Sequence, residues 1–444
     1  MSIQLSDHFS YGRLLRFTLP SVLMMIFTSI YSVVDGFFVS NFAGKTAFTA
    51  VNLIMPFLMI LSSAGFMLGT GGSALVAKTL GQGDEKRAKR LFSLLVYTAF
   101  IAGLVIAALG IVFLRPVAIF LGAEGEILEN CITYGRILLA AVPFFMLQLL
   151  FQSFFVTAER PNLGFAVILC AGLCNMVLDA VLVIGLPMAY KLTGAAVATA
   201  ASQMVGGLVP LIYFARKNTS LLRLGKTCFD ARAIGKACVN GSSELMSNIS
   251  MSVVAMLYNA QLLKYAGADG VAAYGVMMYV SFTFSAAFIG YSIGMAPVVG
   301  YHDGARNTTE LHNLLKKSLI LIGLCAVSMV ALAELAAEPL AMVFVGYDEV
   351  LRALTVSGFR IFALSFFMMG FAIFGSGFFT ALNDGLTSAI ISFMRTVLFE
   401  IVFILVLPLL FGINGIWCSV VLAETMSATM TAIFLVLKQK KYGY

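Results

Sequence analysis

Charged side chains are scarce in this chain of 444 residues. Asp, Glu, Lys and Arg together make up 11% of it, while hydrophobic residues make up 60%. Soluble domains carry about 25% charged residues, and so few charges could not coat this much apolar surface in water. The formal charge of +7 does not indicate a nucleic-acid partner, because the basic residues are dispersed over short gaps without interleaved aromatics. The composition predicts a protein solvated by the lipid bilayer.

Histidine is equally rare, and the marks of an enzyme or an ATPase are missing. His8, His302 and His312 lie outside the apolar runs, which argues against histidine-bound metal within the membrane. The seven cysteines show no disulfide framework. Residues 69–72 are rich in glycine, but no Gly-Lys-Ser/Thr follows them, so they do not form a phosphate-binding loop. We therefore expect no enzyme, no catalytic residue, no cofactor and no ATPase subunit, and transport driven by an ion gradient.

Apolar runs separated by polar breaks dominate the sequence. A membrane-spanning helix needs about 20 predominantly apolar residues, and the short alternating segments of membrane strands are not seen. The runs predict an all-α polytopic membrane protein with twelve transmembrane helices. Their approximate bounds are 14–41, 47–79, 90–114, 131–158, 161–187, 193–215, 237–266, 270–300, 314–337, 350–382, 385–411 and 415–437.

The distribution of Lys and Arg predicts the orientation of these helices. Loops on one side hold 20 of the 28 basic residues and loops on the other hold 5, while Arg136, Arg360 and Arg395 lie inside spans. Cytoplasmic loops carry the excess of Lys and Arg in membrane proteins. We therefore expect both termini and the basic linker 216–236 to be cytoplasmic, in a bacterial cytoplasmic membrane.

The two halves of the sequence resemble each other. Tyr-Gly-Arg-Ile at 134–137 matches Gly-Phe-Arg-Ile at 358–361, an offset of 224, and further pairs recur at offsets of 221 and 223. Six helices per repeat place both repeats in the same orientation, related by an axis along the membrane normal. The pattern predicts two pseudo-symmetric six-helix bundles, with an N-lobe at 1–215 and a C-lobe at 237–444. Such a pair suits alternating access, with the substrate between the bundles.

Acidic residues inside the predicted spans are the first candidates for function. Asp35 lies in helix 1 and Asp179 in helix 5, where Asn175 precedes it by one turn, and Thr199 lies in helix 6. An acid at mid-bilayer costs about 2.5–3.5 kcal/mol or more, and such residues mark ion or substrate pathways. A carboxylate with amide and hydroxyl oxygens can hold a proton or a dehydrated Na⁺. The structural alternative is a hydrogen-bonded acid that only fixes helix packing.

A second set of polar residues in the predicted spans consists of Tyr31, Gln203, Glu244, Arg395, Glu400 and Glu424. Arg395 and Glu400 are five apart on helix 11, where an ion pair with a neighbouring helix is as good an explanation as transport. Glu244 lies near the cytoplasmic end of helix 7, and Glu424 is structural or lines the pore. The 38 Phe and 23 Met residues suit a pocket for varied apolar ligands, although packing against lipid uses the same types.

Several motifs resemble those of the multidrug and toxic compound extrusion (MATE) family over essentially the whole chain. The segment 33–39 around Asp35 is similar to the family's first-helix motif, and 81–84 with its counterpart at 300–306 resembles its cytoplasmic loops. The segments 175–179 and 194–199 resemble its helix 5–6 motif. Within the family, the sequence is most similar to the bacterial MepA and DinF-like branch.

This resemblance implies a multidrug exporter that exchanges amphiphilic, often cationic drugs for inward Na⁺ or H⁺. It also implies an N-lobe cation site onto which Asp35, Asn175, Asp179 and Thr199 map. The NorM-like branch has a membrane-embedded glutamate in helix 7, but Glu244 lies nearer the helix start, so that role is not carried over. We expect a monomer.

Two other classes of function remain as alternatives. A flippase of a lipid-linked or polysaccharide precursor would line its cavity with several cations, and only three arginines lie inside the predicted spans. A membrane-embedded transferase or protease would need a catalytic constellation such as His with acids, and the predicted spans contain no histidine.

Overall fold

The structure, a computed structural model, describes residues 3–346 and 348–444, with the side chains of Ser252 and Ala268 left aside. The described residues are almost entirely helical, and none of them lies in a strand. The N-terminal half contains six helices. They are α1 (Tyr11–Phe38, extended by a π-helical turn at Val39–Ala43), α2 (Lys45–Gly81), α3 (Glu85–Phe120), α4 (Gly125–Thr157), α5 (Pro161–Gly185) and α6 (Lys191–Ala215).

The C-terminal half begins with a helical trace, Ala231–Gly304, that is broken at Gly267. With φ 62° and ψ −151°, Gly267 adopts a conformation that side chains rarely tolerate, and it separates α7 (231–266) from α8 (268–304). A second such break at Gly412 (φ 57°) separates α11 from α12. The remaining bounds are α9 (Thr308–Val345), α10 (Glu349–Ala363 and Ser365–Ala381), α11 (Gly385–Phe393, the π-helical turn Met394–Phe399, and on to 411) and α12 (413–442).

These twelve helices confirm the predicted fold class. Most extend beyond the predicted apolar runs, because polar caps continue them past the hydrocarbon: Asp84 caps α3 by accepting from the Arg87 N–H, and Asn307 caps α9 by accepting from the Glu310 N–H. Among the described residues, nine helical segments are long and apolar enough to cross a membrane when α11 and α12 are counted together, or ten with the bent α10. The helix α7 is not among them, because its length carries a row of Ser, Asn and Glu side chains.

The predicted repeat is visible in the backbone. Turns at corresponding places in the two halves contain a residue with positive φ, and the members of each pair are 223 or 224 residues apart. The pairs are Gly44 with Gly267, Gly83 with Arg306, and Glu159 with Asn383. Non-glycine residues rarely adopt this conformation, so its recurrence supports the predicted duplication. The division into an N-lobe, a linker and a C-lobe stays a prediction.

The two halves meet at the end of the molecule that carries both chain termini, which we call the terminal face. There Gly81 of α2 approaches the Tyr301 carbonyl of α8 so closely that a side chain at position 81 would collide with it. Lys78 of α2 forms an ion pair with Asp303 of α8, at 2.7 Å between Nζ and Oδ2. The Asn383 amide donates to the Ala74 carbonyl at 3.2 Å. These contacts join the halves at this face and leave a cavity between them deeper in the molecule.

Candidate functional site

The acids predicted in helices 1 and 5 lie side by side in the structure. Asp35 on α1 and Asp179 on α5 have adjacent carboxyl groups, and their side chains are 8% and 0% exposed. Thr199 on α6 donates from Oγ1 to Asp35 Oδ1 at 3.2 Å. The buried Asn175 amide lies next to Asp35, one helical turn before Asp179. The four predicted residues therefore form one cluster, which we call the N-half cluster.

Polar atoms in this cluster are left without partners. Neither oxygen of Asp179 and neither amide atom of Asn175 makes a hydrogen bond to the described protein atoms. A buried polar group without a partner costs about 1–3 kcal/mol, and more when it is charged. The α1 helix also leaves regular geometry one turn beyond Asp35, at the π-helical turn Val39–Ala43, a distortion often found at functional sites. The cluster has the character of a binding site rather than of a satisfied packing contact.

Asp35, Asn175 and Thr199 of the N-half cluster line a cavity of about 230 Å³ within the N-terminal half. Tyr31 and Gln203, both candidates from the sequence, lie on its wall. Gln148 and Gln152 of α4 also line it, although the sequence analysis did not select them. In the sequence, these two residues stand out only as amide side chains within an otherwise apolar run. No Lys or Arg is among the described residues that line this cavity, so no basic side chain on its wall balances the charge of the Asp35 carboxylate.

A larger cavity of about 440 Å³ lies between the halves. Its wall combines flexible and aromatic apolar side chains with hydroxyl groups, and it shares Thr28, Met59 and Gln152 with the N-half cavity. Ligand pockets of this size, mostly apolar with a few polar groups, take drug-sized molecules. Apolar side chains on its wall include Met25, Phe66, Phe145, Met251, Phe282 and Met369.

A second group of acids, the C-half cluster, lines the same central cavity. Arg395 on α11 donates to both carboxylate oxygens of Glu424 on α12, from Nε to Oε2 at 2.9 Å and from Nη2 to Oε1 at 2.7 Å. The Tyr258 hydroxyl donates to Glu400 Oε2 at 3.1 Å. Glu244 and Glu400 also face the cavity. The cluster holds three carboxyl groups against one guanidinium.

The arrangement of the C-half cluster decides between the alternatives for Arg395. It forms an ion pair with a neighbouring helix, and its partner is Glu424 rather than Glu400. Arg395 lies in the π-helical turn Met394–Phe399, which places its side chain toward α12. Glu424 is buried, so it is both paired and part of the cavity wall.

Comparisons with known proteins agree with this architecture. The MatE family model matches residues 20–181 and again residues 245–406, one match in each half. A protein named multidrug export protein MepA from Staphylococcus haemolyticus is 25% identical over 428 residues, covering 96% of this chain and 93% of the relative. MepA of Staphylococcus aureus strain MSSA476 is 22% identical over 432 residues, covering 96% and 94%.

Solved structures share the fold. One described as an outward-facing multidrug resistance MATE family transporter of the MOP superfamily superposes with a TM-score of 0.93, at 21% identity, over 100% of this chain and 98% of the other. A crystal structure of MATE in complex with MaL6 gives a TM-score of 0.92 at 21% identity, over 98% of each chain. The two family matches together span more than half of the sequence. The chain belongs to the MatE family, as its motifs predicted, and is similar to MepA.

Proposed function

We propose that the protein is a secondary active multidrug exporter of the bacterial cytoplasmic membrane. It would exchange amphiphilic, mostly cationic drugs for an inward cation by alternating access. The observation that carries this proposal is the position of the N-half cluster: two adjacent buried carboxyl groups, of which Asp35 lines a cavity that adjoins the central one and has no described Lys or Arg on its wall. The relatives named as multidrug export proteins support the same conclusion.

The N-half cluster fits either H⁺ or Na⁺ as the driving ion. Two adjacent carboxylates repel each other in a medium of low dielectric constant, and a proton held by one of them removes that repulsion. Alternatively, Na⁺ would take oxygen ligands from Asp35 and Asp179, with the Asn175 amide oxygen and the Thr199 hydroxyl completing the set. The unpartnered oxygens of Asn175 and Asp179 fit this role. An inward negative potential adds about 2.3 kcal/mol per charge per 100 mV.

The central cavity fits an amphiphilic cation. Its Met and Phe side chains adapt to apolar ligands of varied shape. Glu244 and Glu400 also line it, and the single guanidinium of Arg395, already bound to Glu424, cannot neutralise their negative charge. Ion binding at the N-half cluster would remove negative charge from one wall of the adjoining cavities. That change would favour a different arrangement of the helices and release of the drug on the other side.

The cavity offers less to an anionic lipid-linked substrate. Of the three arginines in predicted spans, only Arg395 lines the central cavity among the described residues, and Glu424 already binds it. Arg136 is exposed on the outside of α4, and Arg360 lies 3.8 Å from Glu334. A flippase for a polyanionic headgroup would lack the cations that recognition requires.

Purified protein in liposomes tests the proposal. Liposomes carrying an imposed pH or Na⁺ gradient would be assayed for efflux of a fluorescent cationic dye, with an anionic dye and a fluorescent lipid-linked oligosaccharide in parallel. We expect gradient-dependent movement of the cationic dye alone, and none when an ionophore collapses the gradient. Movement of only the anionic dye would contradict the substrate class, and movement of only the lipid-linked substrate would establish a flippase.

A further inference from the structure

The described residues that precede α1 are held against the rest of the molecule. Residues 3–10 precede α1 and run across the terminal face, and the side chains of Leu5 and Phe9 within them are 0% exposed. Phe9 packs edge to face on Phe17 of α1, with 5.7 Å between ring centroids. Terminal residues are poorly ordered unless contacts hold them. We call residues 3–10 the N-terminal segment.

One end of the N-terminal segment is bound to the N-terminal half. The Leu5 N–H donates to Glu159 Oε1 at 2.6 Å. Glu159 lies in the turn between α4 and α5 with φ 58°, a conformation that a non-glycine residue keeps only when its surroundings hold it. Burial raises the pKa of Glu159, and the hydrogen bond from Leu5 partly offsets that effect.

The other end is bound to the C-terminal half, on the first three turns of α9. Glu310, 5% exposed, accepts from the Phe9 N–H at 2.9 Å and lies 2.6 Å from His8 Nδ1. The Phe9 carbonyl accepts from Lys317 Nζ at 2.6 Å and from the Asn313 amide at 3.2 Å. Both backbone polar groups of Phe9 are therefore satisfied by one face of α9, although Phe9 is continuous with α1.

The N-terminal segment covers the seam between the halves. The buried His302 of α8 lies against the backbone of Leu5 and Asp7. Directly beside it, Asp303 forms the ion pair with Lys78 of α2. Gly304 approaches the Lys78 carbonyl so closely that a side chain at this position would collide with it. The segment thus lies beside a close contact between α2 and α8.

Alternating access, on which this inference rests, requires the halves to separate at the terminal face. The segment is covalently continuous with α1, so it cannot follow α9 when the halves move apart. We propose that residues 3–10 form a latch that holds the terminal face closed, and that Glu310 is the residue of the C-terminal half that binds this latch. Opening of this face then requires that Phe9 and His8 leave Glu310, while the bond of Leu5 to Glu159 stays with the N-terminal half.

Hydrogen exchange followed by mass spectrometry on the full-length protein in nanodiscs tests the latch without a transport assay. Glu310→Ala removes the acceptor of Phe9 and His8, and we expect residues 3–10 to exchange about tenfold faster. The seam, 74–81 of α2 and 298–304 of α8, should also exchange faster, because the closed state loses the contacts of Glu310 with His8 and Phe9. Glu85→Ala is the matched control. It removes a carboxylate from the first turn of α3 that, among the described residues, forms an ion pair with Lys89 alone, at 3.3 Å.

The outcomes separate a latch from an ordered tail. Faster exchange of both the segment and the seam in Glu310→Ala, with Glu85→Ala unchanged, supports the latch. Faster exchange of the segment alone, or no change in either, overturns it. Lys317→Met, which removes a donor to the Phe9 carbonyl and the contact of Nζ with the Tyr11 ring, should give the same pattern at smaller size and guards against misfolding of Glu310→Ala. If the protein exported nothing in liposomes, the proposed function would be contradicted, but the hydrogen-exchange result would not change.

Discussion

Acidic side chains lie inside the helices of both halves, and the halves balance the negative charge differently. In the N-terminal half, Asp35 and Asp179 have adjacent carboxyl groups beside an amide and a hydroxyl group, and no described Lys or Arg lines the cavity that Asp35 borders. In the C-terminal half, Arg395 is bound to Glu424 through two hydrogen bonds. Arg395 thus neutralises Glu424 from a fixed position in this structure. On the proposed mechanism, the N-half cluster is neutralised instead by an ion that arrives and leaves, as coupling to a gradient needs.

Asp179→Asn should give the largest functional effect, because it keeps the shape of the side chain and removes its charge. We expect gradient-coupled dye efflux from expressing cells to fall to the level of cells without the protein, and Asp35→Asn to do the same. Expression and thermal unfolding should not change. Normal coupled efflux by Asp179→Asn would mean that the carboxylate is structural and that the two halves do not differ in the way described.

Arg395→Leu should have the largest effect on stability, since it leaves Glu424 buried without its partner. Breaking a buried ion pair from one side costs about 3–5 kcal/mol, whereas replacing both partners by apolar groups is often neutral. The double variant Arg395→Leu/Glu424→Leu should therefore recover most of the loss. Unfolding can be followed through the fluorescence of Trp417, the single tryptophan, which is buried on α12. Equal instability of the single and double variants would argue against neutralisation of Glu424 by Arg395.

Glu244→Gln and Glu400→Gln should weaken binding of the drug without removing coupling. Each substitution removes one of the two carboxyl groups not bound by Arg395, and we expect about a tenfold rise in the Kd of a cationic dye, equal to about 1.4 kcal/mol. Fluorescence polarisation with purified protein measures the Kd, and liposome efflux at saturating dye measures coupling. Loss of coupling with an unchanged Kd would mean that these acids bind the driving ion, and the two halves would then not differ in the way described.

Asp384, outside the membrane-spanning segments, gives a reference for an acid paired at the surface. Burial alone would raise its pKa, but hydrogen bonds from Tyr442 at 2.8 Å and Lys438 at 3.1 Å outweigh this and hold the pKa below its ordinary value. A lowered pKa stabilises the fold above the ordinary value and ceases to do so as pH falls through the lowered one. The free energy of unfolding of the parent protein should exceed that of Asp384→Asn by roughly 1 kcal/mol at pH 7, and this gap should close below about pH 4. Thermal unfolding across pH measures the gap, and a constant gap would contradict the assignment.

Much of the fold and of the N-half cluster could be predicted from the sequence, because local patterns encode them. Apolar runs mark the helices, and Asn175 and Asp179 share a helix face at a spacing of four. The pairing of Arg395 with Glu424 could not be predicted, because it joins different helices through a π-helical turn that no pattern announces. The docking of Phe9 on Glu310 likewise depends on tertiary packing between residues 301 positions apart.

The central claim is that a mobile cation occupies the N-half cluster, and its most direct test is to measure dye and ion fluxes together. Proteoliposomes loaded with a cationic dye would be monitored for dye efflux, for proton uptake with a pH-sensitive fluorophore, and for uptake of radioactive sodium. We predict that dye efflux by the parent protein is accompanied by uptake of one of the two ions, and that Asp179→Asn shows neither flux. Dye efflux by Asp179→Asn with the same ion uptake as the parent would contradict the account.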